Sequence, residues 1–460
     1  MTGAAPRADQ TVIIKNERIT AIGASNTVLT PRGAQILDAH GKFIIPGLVD
    51  MHIHLTAAGE PEGSRKFMLP LLLANGITTV RDMGGYLESI RPLQKEIQEG
   101  KRLGPRIFTP GPYLDGSPPS FQPSLVVTNS VEAAEDVHQL VALGVDFIKV
   151  QSILSREAYF AIAQAAQREH ITFVGHVPDL VTAAEAAAAG QHSIEHLTNV
   201  LRGCSREEPK LMREQLYIPL KQETAEQSHI RSVAWQRELL DSYSPQKAAA
   251  LIAKFKEKDV WQSPTLALLK NDAFPNTENS AARVSGFVLR NPELKTGDRE
   301  KYIPPRTLAI WKKARAEQMR VLSPKDSELY AQLLRKSMDM VAQMQKVGVK
   351  ILAGTDAPAP YVFPGSSLHD ELQLLVESGL TPLEALQSAT KSPAEFLHTA
   401  KDSGTVEKGK LVDLVLLDAN PLDDIRNTRN IHAVILRGKL LDRAALDQLL
   451  DQVQSFAGAN

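Results

Sequence analysis

Short apolar runs open and close the chain, and a long middle alternates such runs with segments of helical period. Near the start, TVII at 11–14 and NERITAIG at 16–23 predict a hairpin turning at 15–18, and AQILDAHGKFIIPG at 34–47 continues the strand pattern. At the other end, KGKLVDLVLLD (408–418) and HAVILRGKLL (432–441) are also strand-like. Two strand-rich ends around a long middle predict a small sheet built from both, with the middle inserted into it.

The middle offers eight candidate strands: LVDMHIHL (48–55), GITTVRD (76–82), RIFTPG (106–111), VDFIKVQ (145–151), ITFVGH (171–176), HSIEHL (192–197), VWQSPTLAL (260–268) and VGVKILAGTD (347–356). Helix signals lie between them. Thr182 with Glu185, Thr381 with Glu384 and Ser392 with Glu395 have the capping-box spacing, the last two with Pro at the first helical position. In 131–144, Ala134, Val137, Leu140 and Val141 form an apolar face that stops at Gly144. Eight strands alternating with helices predict an α/β protein built as a (β/α)8 barrel. An open doubly wound sheet is the rival, weakened because no glycine fingerprint for a dinucleotide follows the early strands. Residues 198–259 and 269–346 are too long for simple loops; both are charged and helix-patterned, and predict a lid or an oligomer interface. PGPYLDGSPPSFQPS (110–124) is a Pro/Gly-rich loop after the third strand.

Composition narrows the chemistry. With 52 Lys and Arg against 53 Asp and Glu, the net charge of −1 leaves no excess to hold a phosphate backbone, so nucleic acid is disfavoured as a partner. The apolar runs fall short of the roughly 20 residues of a membrane helix, which disfavours a membrane-spanning role. The one cysteine, Cys204, builds neither an internal disulfide nor a thiolate zinc site, so any metal here is held by His and carboxylate groups. His52 and His54 are two apart on a strand and so point to one face. His176, His196, Lys149 and Asp356 sit at the ends of other strands, and barrels gather such ends at one mouth. Taken singly, each has a plainer reading as a helix-entry residue, a cap or a solvated strand end. Arg81 also ends a strand, where its guanidinium either pairs with a substrate carboxylate or forms a buried ion pair with Asp82 or Glu195. Tyr113 and Tyr217 lie in segments expected to reach a substrate. His138, His170, His229 and His398 have no partner pattern and read as surface or helix residues.

In order, PGLVDMHIHL (46–55), GITTVRDMGG (76–85), VDFIKV (145–150), FVGHVPD (173–179), SIEHL (193–197), AGTDAP (353–358), GLTPLEALQSATKSPAEFL (379–397) and GTVEKGKLVDLVLLDANPL (404–422) resemble the metal-dependent amidohydrolase superfamily. The likeness spans nearly all of the chain outside the two insertions. Within the superfamily it is to the imidazolonepropionase-like and prolidase-like branch, with its Xaa-Pro dipeptidases and ochratoxinase-like enzymes. It implies a distorted (β/α)8 TIM barrel over 47–403, and a small β-sandwich-like domain from 1–46 plus 404–460.

The resemblance makes His52, His54, His176, His196 and Asp356 metal ligands. It matches Lys149 to the lysine that takes up carbon dioxide as a carbamate bridging two divalent ions, with zinc the expected metal. Asp356 is then the general base and acid, and Glu195, Asp82 and Thr355 orient the histidines. The implied activity is cleavage of the amide C–N bond of a dipeptide or N-acyl amino acid, ochratoxin-like amides included, by a metal-bridging hydroxide. The alternatives are a cyclic-amide hydrolase of imidazolonepropionase type and a non-catalytic barrel scaffold; against the second, every expected ligand is present. The expected partners are a small-molecule amide and further copies of the chain in a homo-oligomer. As written, the N-terminus lacks a signal peptide and reads as cytoplasmic. Relatives begin with one more strand, however, so any export signal ahead of that strand would lie outside the given sequence, and localisation stays open.

Overall fold

The computed structural model describes residues 6–56, 63–214, 223–273 and 296–459. The strands are short, and main-chain hydrogen bonds join the middle ones into a ring. β1 (Gln10–Lys15) and β2 (Arg18–Ala24) form the expected hairpin, and β3 (Phe43–Pro46) leads into β4 (Leu48–Ile53). β4, β5 (Ile77–Asp82) and β6 (Arg106–Phe108) pair in parallel. β7 (Tyr113–Asp115) and β8 (Ser124–Val126) form a parallel pair on the rim after β6. β9 (Ile148–Val150), β10 (Phe173–Gly175), β11 (Ser193–Glu195) and β12 (Trp261–Ser263) run on in parallel. Asp146 N donates to Thr109 O at 2.9 Å, joining the end of β6 to the start of β9. The eighth segment, 350–356, lies between β12 and β4: Leu352 N donates to Gln262 O, and Met51 N to Ala353 O, both at 2.9 Å. The ring is therefore a (β/α)8 barrel whose strand ends form one mouth.

Alternation sorts the side chains. Val49, Met51, Met83, Phe147, Val174, Trp261, Leu352 and Phe396 fill the lumen as one buried cluster, while a larger core lies between the strands and the surrounding helices. Strands from both chain ends share a four-stranded antiparallel sheet, in which β3 pairs with β13 (Leu414–Leu417), β13 with β14 (Ile431–Leu436) and β14 with β15 (Lys439–Leu441). One of its faces packs Leu414 and Ile435 with Ile19 of the hairpin; the other adds Val415, Leu417 and Val434 to the barrel's outer core.

The local signals hold in part. Thr182 and Thr381 build complete capping boxes with Glu185 and Glu384. Ser392 does not: the helix Lys391–Phe396 starts before it, and Thr390, at the cap position, donates its hydroxyl to Leu386 O instead. Residues 34–39 form no strand, and the pattern begins only at Phe43. The seventh strand is cut to Trp261–Ser263, because Pro264 and a left-handed Thr265 (φ 48°) turn the chain into the helix Leu266–Ala273. In the helix Ser130–Ala142 it is Ala133 that is buried, and Ala134 faces water. The described parts of the two long insertions are helical. Pro245–Glu257 and Pro324–Val347 line the barrel among its outer helices.

Gly175 allows β10 to lie against β9. Its φ is +132°, and an added Cβ would stand 2.2 Å from Val150 O. Gly175→Ala is therefore expected to combine backbone strain of about 1–3 kcal/mol with a main-chain clash. A large drop in thermal midpoint and soluble yield would show it; a wild-type melt would contradict it.

Candidate metal centre

The lumen is polar at one level. Arg81 on β5 is fully buried: Nε donates to Met51 O at 2.6 Å, Nη1 to Ser193 Oγ at 3.1 Å, and Nη2 to both Glu195 oxygens at 2.9 Å. Its guanidinium lies over the Phe396 and Phe147 rings, 4.9 and 5.8 Å from their centroids. This corrects the expectation that Arg81 meets a substrate carboxylate. The guanidinium is the lumen's structural cation, the other reading its position allowed. Burial alone pushes the Glu195 carboxyl up, but the Arg81 charge, the His52 hydrogen bond and Lys149 hold it well below the usual range.

Above this pair the strand-end side chains converge. The imidazole Nε2 atoms of His52 and His54 lie 3.2 and 3.0 Å from Asp356 Oδ1, and donor atoms of the three residues all fall within 4.8 Å of one another. The His196 ring is 4.4 Å from that of His52 and 5.0 Å from that of His176, centroid to centroid. Every one of these imidazoles has its Nδ1 occupied on the outside. His52 Nδ1 donates to Glu195 Oε2 at 2.9 Å, and His54 Nδ1 to Gly84 O at 3.2 Å with Tyr113 Oη alongside at 3.1 Å. His176 Nδ1 bonds Ser152 Oγ at 2.8 Å, and His196 Nδ1 bonds Thr265 Oγ1 at 2.7 Å. Glu195 and the Gly84 carbonyl can only accept, which puts a proton on Nδ1 of His52 and His54, while the Ser152 and Thr265 hydroxyls orient their rings; in all four the Nε2 edge is left to face inward. Burial and His52 push His196 down to about 3, and burial with the Lys149 charge pushes His176 well below the usual imidazole range, so both rings are neutral.

Lys149 completes the site. Its Nζ is fully buried and has no hydrogen-bond partner among the described residues. Burial lowers the amine to about 8, against the charges of Glu195 and Asp356. Burial also works against the Asp356 carboxylate, but its bonds to His52 and His54 and the neighbouring imidazoles hold it well below the normal range. Four imidazoles, one carboxylate and one buried amine make a nitrogen- and oxygen-donor set that fits divalent cations.

The supporting residues act differently from one another. Glu195 touches His52 directly. Thr355 works through Asp50, which sequence reasoning passes over: Thr355 Oγ1 donates to Asp50 Oδ2 at 2.7 Å, and Thr355 N and His52 N donate to Asp50 Oδ1. Asp50 thus clamps the first strand to the eighth, and burial raises its carboxyl to about 7. Asp82 instead accepts from the main chain at Leu55 N and from the side chain at Thr109 Oγ1, both at 2.8 Å. Sequence reasoning also misses Ser152, Thr265 and Gly84. The available signal is their place just past strand ends. Backbone strain marks the same places, since His196 (φ 57°), Thr265 (φ 48°) and Asp356 (φ 68°) are all left-handed non-glycine residues. Tyr217 lies outside the described residues. Cys204 is buried with its thiol pushed up to about 12, which suits no nucleophile.

Residues 43–441 match the family model described as Amidohydrolase family. A dihydroorotase of Lactobacillus helveticus (strain DPC 4571) is 32% identical over 115 residues, 22% of this chain and 24% of that enzyme. The chain thus spans about a quarter or less of the length of the first curated relatives it matches. Among solved structures, a bottromycin amidohydrolase is 22% identical with a TM-score of 0.71, covering 96% of this chain and 85% of that one. A Xaa-Pro dipeptidase with bound methionine is 20% identical with a TM-score of 0.62, covering 94% and 95%. At these identities the likeness is one of fold.

Arg81→Met leaves Glu195 buried without its cation and is expected to cost about 3–5 kcal/mol in denaturant unfolding. The pH dependence has a definite sign. A carboxyl depressed by folding stabilises fully above its unfolded value, about 4.3 for Glu, and that stability fades as pH falls below it. Losing Arg81 removes most of the depression, so acid unfolding of the variant should begin at higher pH than in the wild type. Coincident acid transitions would show that Arg81 does not hold Glu195 ionised.

Proposed function

The chain belongs to the amidohydrolase family, and on that footing we propose that it is a binuclear metal-dependent hydrolase cutting the amide bond of a dipeptide or an N-acyl amino acid. The observation that carries the reading is Lys149. Its Nζ is buried and, among the described residues, without a hydrogen-bond partner beside Asp356 and the histidine cluster, a poor place for an ammonium group. A neutral amine there is a nucleophile. Its lone pair forms an N–C bond to carbon dioxide, a C=O electron pair moves to oxygen, and one proton leaves to solvent. The product is a carbamate anion in place of a cation. His52, His54, His176, His196, Asp356 and the Lys149 carbamate would hold two divalent cations, with zinc the first choice for this donor set. Such cations supply polarisation of the scissile carbonyl and a hydroxide at neutral pH.

The rest falls to the chain's own groups. Asp356, kept ionised, accepts the proton of the attacking water and returns it to the leaving nitrogen. Glu195 and the Gly84 carbonyl keep a proton on Nδ1 of His52 and His54, and Ser152 and Thr265 hold the other two rings in orientation. Dipeptides head the substrate series because one fold neighbour is a Xaa-Pro dipeptidase.

Protein purified with zinc or manganese should carry about two ions per chain by elemental analysis, and Lys149→Ala about one or none, with amide hydrolysis lost. No bound metal in the wild type would sink the hydrolase reading; full metal and activity in Lys149→Ala would sink the bridge. Metal-loaded protein given ¹³C-bicarbonate should show a carbamate carbon by NMR. In the metal-free protein at a fixed concentration of dissolved carbon dioxide, its rate of formation should rise with pH up to about 8 and then level off, because only the neutral amine reacts. A screen of dipeptides and N-acyl amino acids against cyclic ureides fixes the substrate, and turnover of cyclic ureides alone would overturn the linear-amide assignment.

A further inference from the structure

From the candidate metal centre, two aromatic rings lead out to the surface, and the chemistry proposed above makes no use of the outer one. Tyr113 is almost fully buried, its ring centroid 5.9 Å from that of His54. Gly84 makes room for it, since a Cβ there would stand 2.2 Å from the tyrosine ring. Phe121 follows, its centroid 6.4 Å from Tyr113, within the range of about 4.5–7 Å at which aromatic pairs attract. Yet Phe121 is 59% exposed.

Isolated exposed apolar side chains are ordinary. This one sits on a loop that is pinned throughout. The wholly buried Asp115 carboxylate accepts from the main-chain N–H of Gly116 at 2.9 Å, Ile153 at 3.0 Å and Ser120 at 2.7 Å. Ser124 Oγ then donates to Phe121 O at 2.7 Å, and Tyr113 N to Pro123 O at 3.0 Å. A buried carboxylate that holds a surface loop gives that loop one shape, and the shape presents an aromatic ring at the barrel mouth. The Phe121 ring packs toward Tyr113 on one side and is left largely to water elsewhere.

We propose that Phe121 and Tyr113 form an aromatic wall that takes an aromatic or large apolar group of the substrate beside the scissile bond. Where the amide-hydrolase reading supplies the scissile bond, the wall narrows the substrates to amides bearing such a group; the wall itself rests on the ring geometry and the pinned loop.

Binding and turnover separate the two. Binding of 3-phenylpropionate and of propionate to the metal-loaded full chain is measured by titration calorimetry, which needs no turnover. The wild type should favour the phenyl compound by about tenfold or more. Phe121→Ala should reduce that ratio to about twofold, and Phe121→Trp should keep it. No preference in the wild type, or an undiminished ratio in Phe121→Ala, would overturn the wall. Failure to hydrolyse any amide would overturn the hydrolase reading and leave the binding result intact. If amides are hydrolysed, the same ratio should appear in KM for dipeptides with and without an aromatic residue, and its absence there would count against the wall.

Discussion

A carboxylate and a guanidinium without solvent access occupy the middle of the barrel, and much of the mouth is arranged around them. Glu195 on β11 faces Arg81 on β5 across the lumen, and Arg81 also ties down the main chain of β4 at Met51. An ion pair at such depth is a weak source of net stability, because desolvation offsets most of its attraction. Its value lies in position. The Glu195 oxygen that meets Arg81 also receives His52 Nδ1, so the charge that closes the lumen below sets the ring orientation above. Three strands are thereby fixed relative to one imidazole.

The other histidines are set by similar but simpler means. Ser152, Thr265 and the Gly84 carbonyl each occupy one Nδ1, and the left-handed backbone at Thr265, His196 and Asp356 aims the side chains. A β-branched residue such as Thr265 adopts that conformation only where its surroundings enforce it. Here Glu371, itself buried, accepts from Ala267 N at 2.7 Å and holds the start of the helix that follows. The strain and the hydrogen bond thus serve one purpose, a fixed His196 ring.

The sequence was most legible where period and chemistry agreed. Eight strand positions, the hairpin at 10–24 and the convergence of His52, His54 and Asp356 were all visible, because alternation along strands and the geometry of barrel ends leave little choice. What was hidden depended on contacts across the lumen. Arg81 looked equally suited to a substrate or to Glu195 until the guanidinium was seen facing inward. Asp50 was overlooked beside two histidines of stronger chemical character, although it joins the first and eighth strands. Ser392 matched a capping-box spacing that the helix register then bypassed, since a spacing states what a cap would need and not where the helix begins. Thr265 could not be singled out at all: a hydroxyl at a helix start is common, and its role comes from an imidazole 69 residues away in sequence.

The charges of the lumen bear on how the site is filled. Arg81 and Glu195 balance one another, and Asp356 is matched by the imidazoles that bond it. Lys149 has no bonded counter-charge among the described residues and lies deep enough that its own protonation is weakened. Burying an unpartnered amine confers nothing on folding, and a methionine of similar length would fill the same space without the desolvation penalty. The position therefore makes physical sense when the amine's nucleophilicity is what the site uses. A carbamate formed there would face Asp356 as a second anion, an arrangement that is unfavourable alone and becomes favourable when cations lie between the two. The same local geometry then accounts for both the buried amine and the inward-facing Nε2 edges of the surrounding imidazoles.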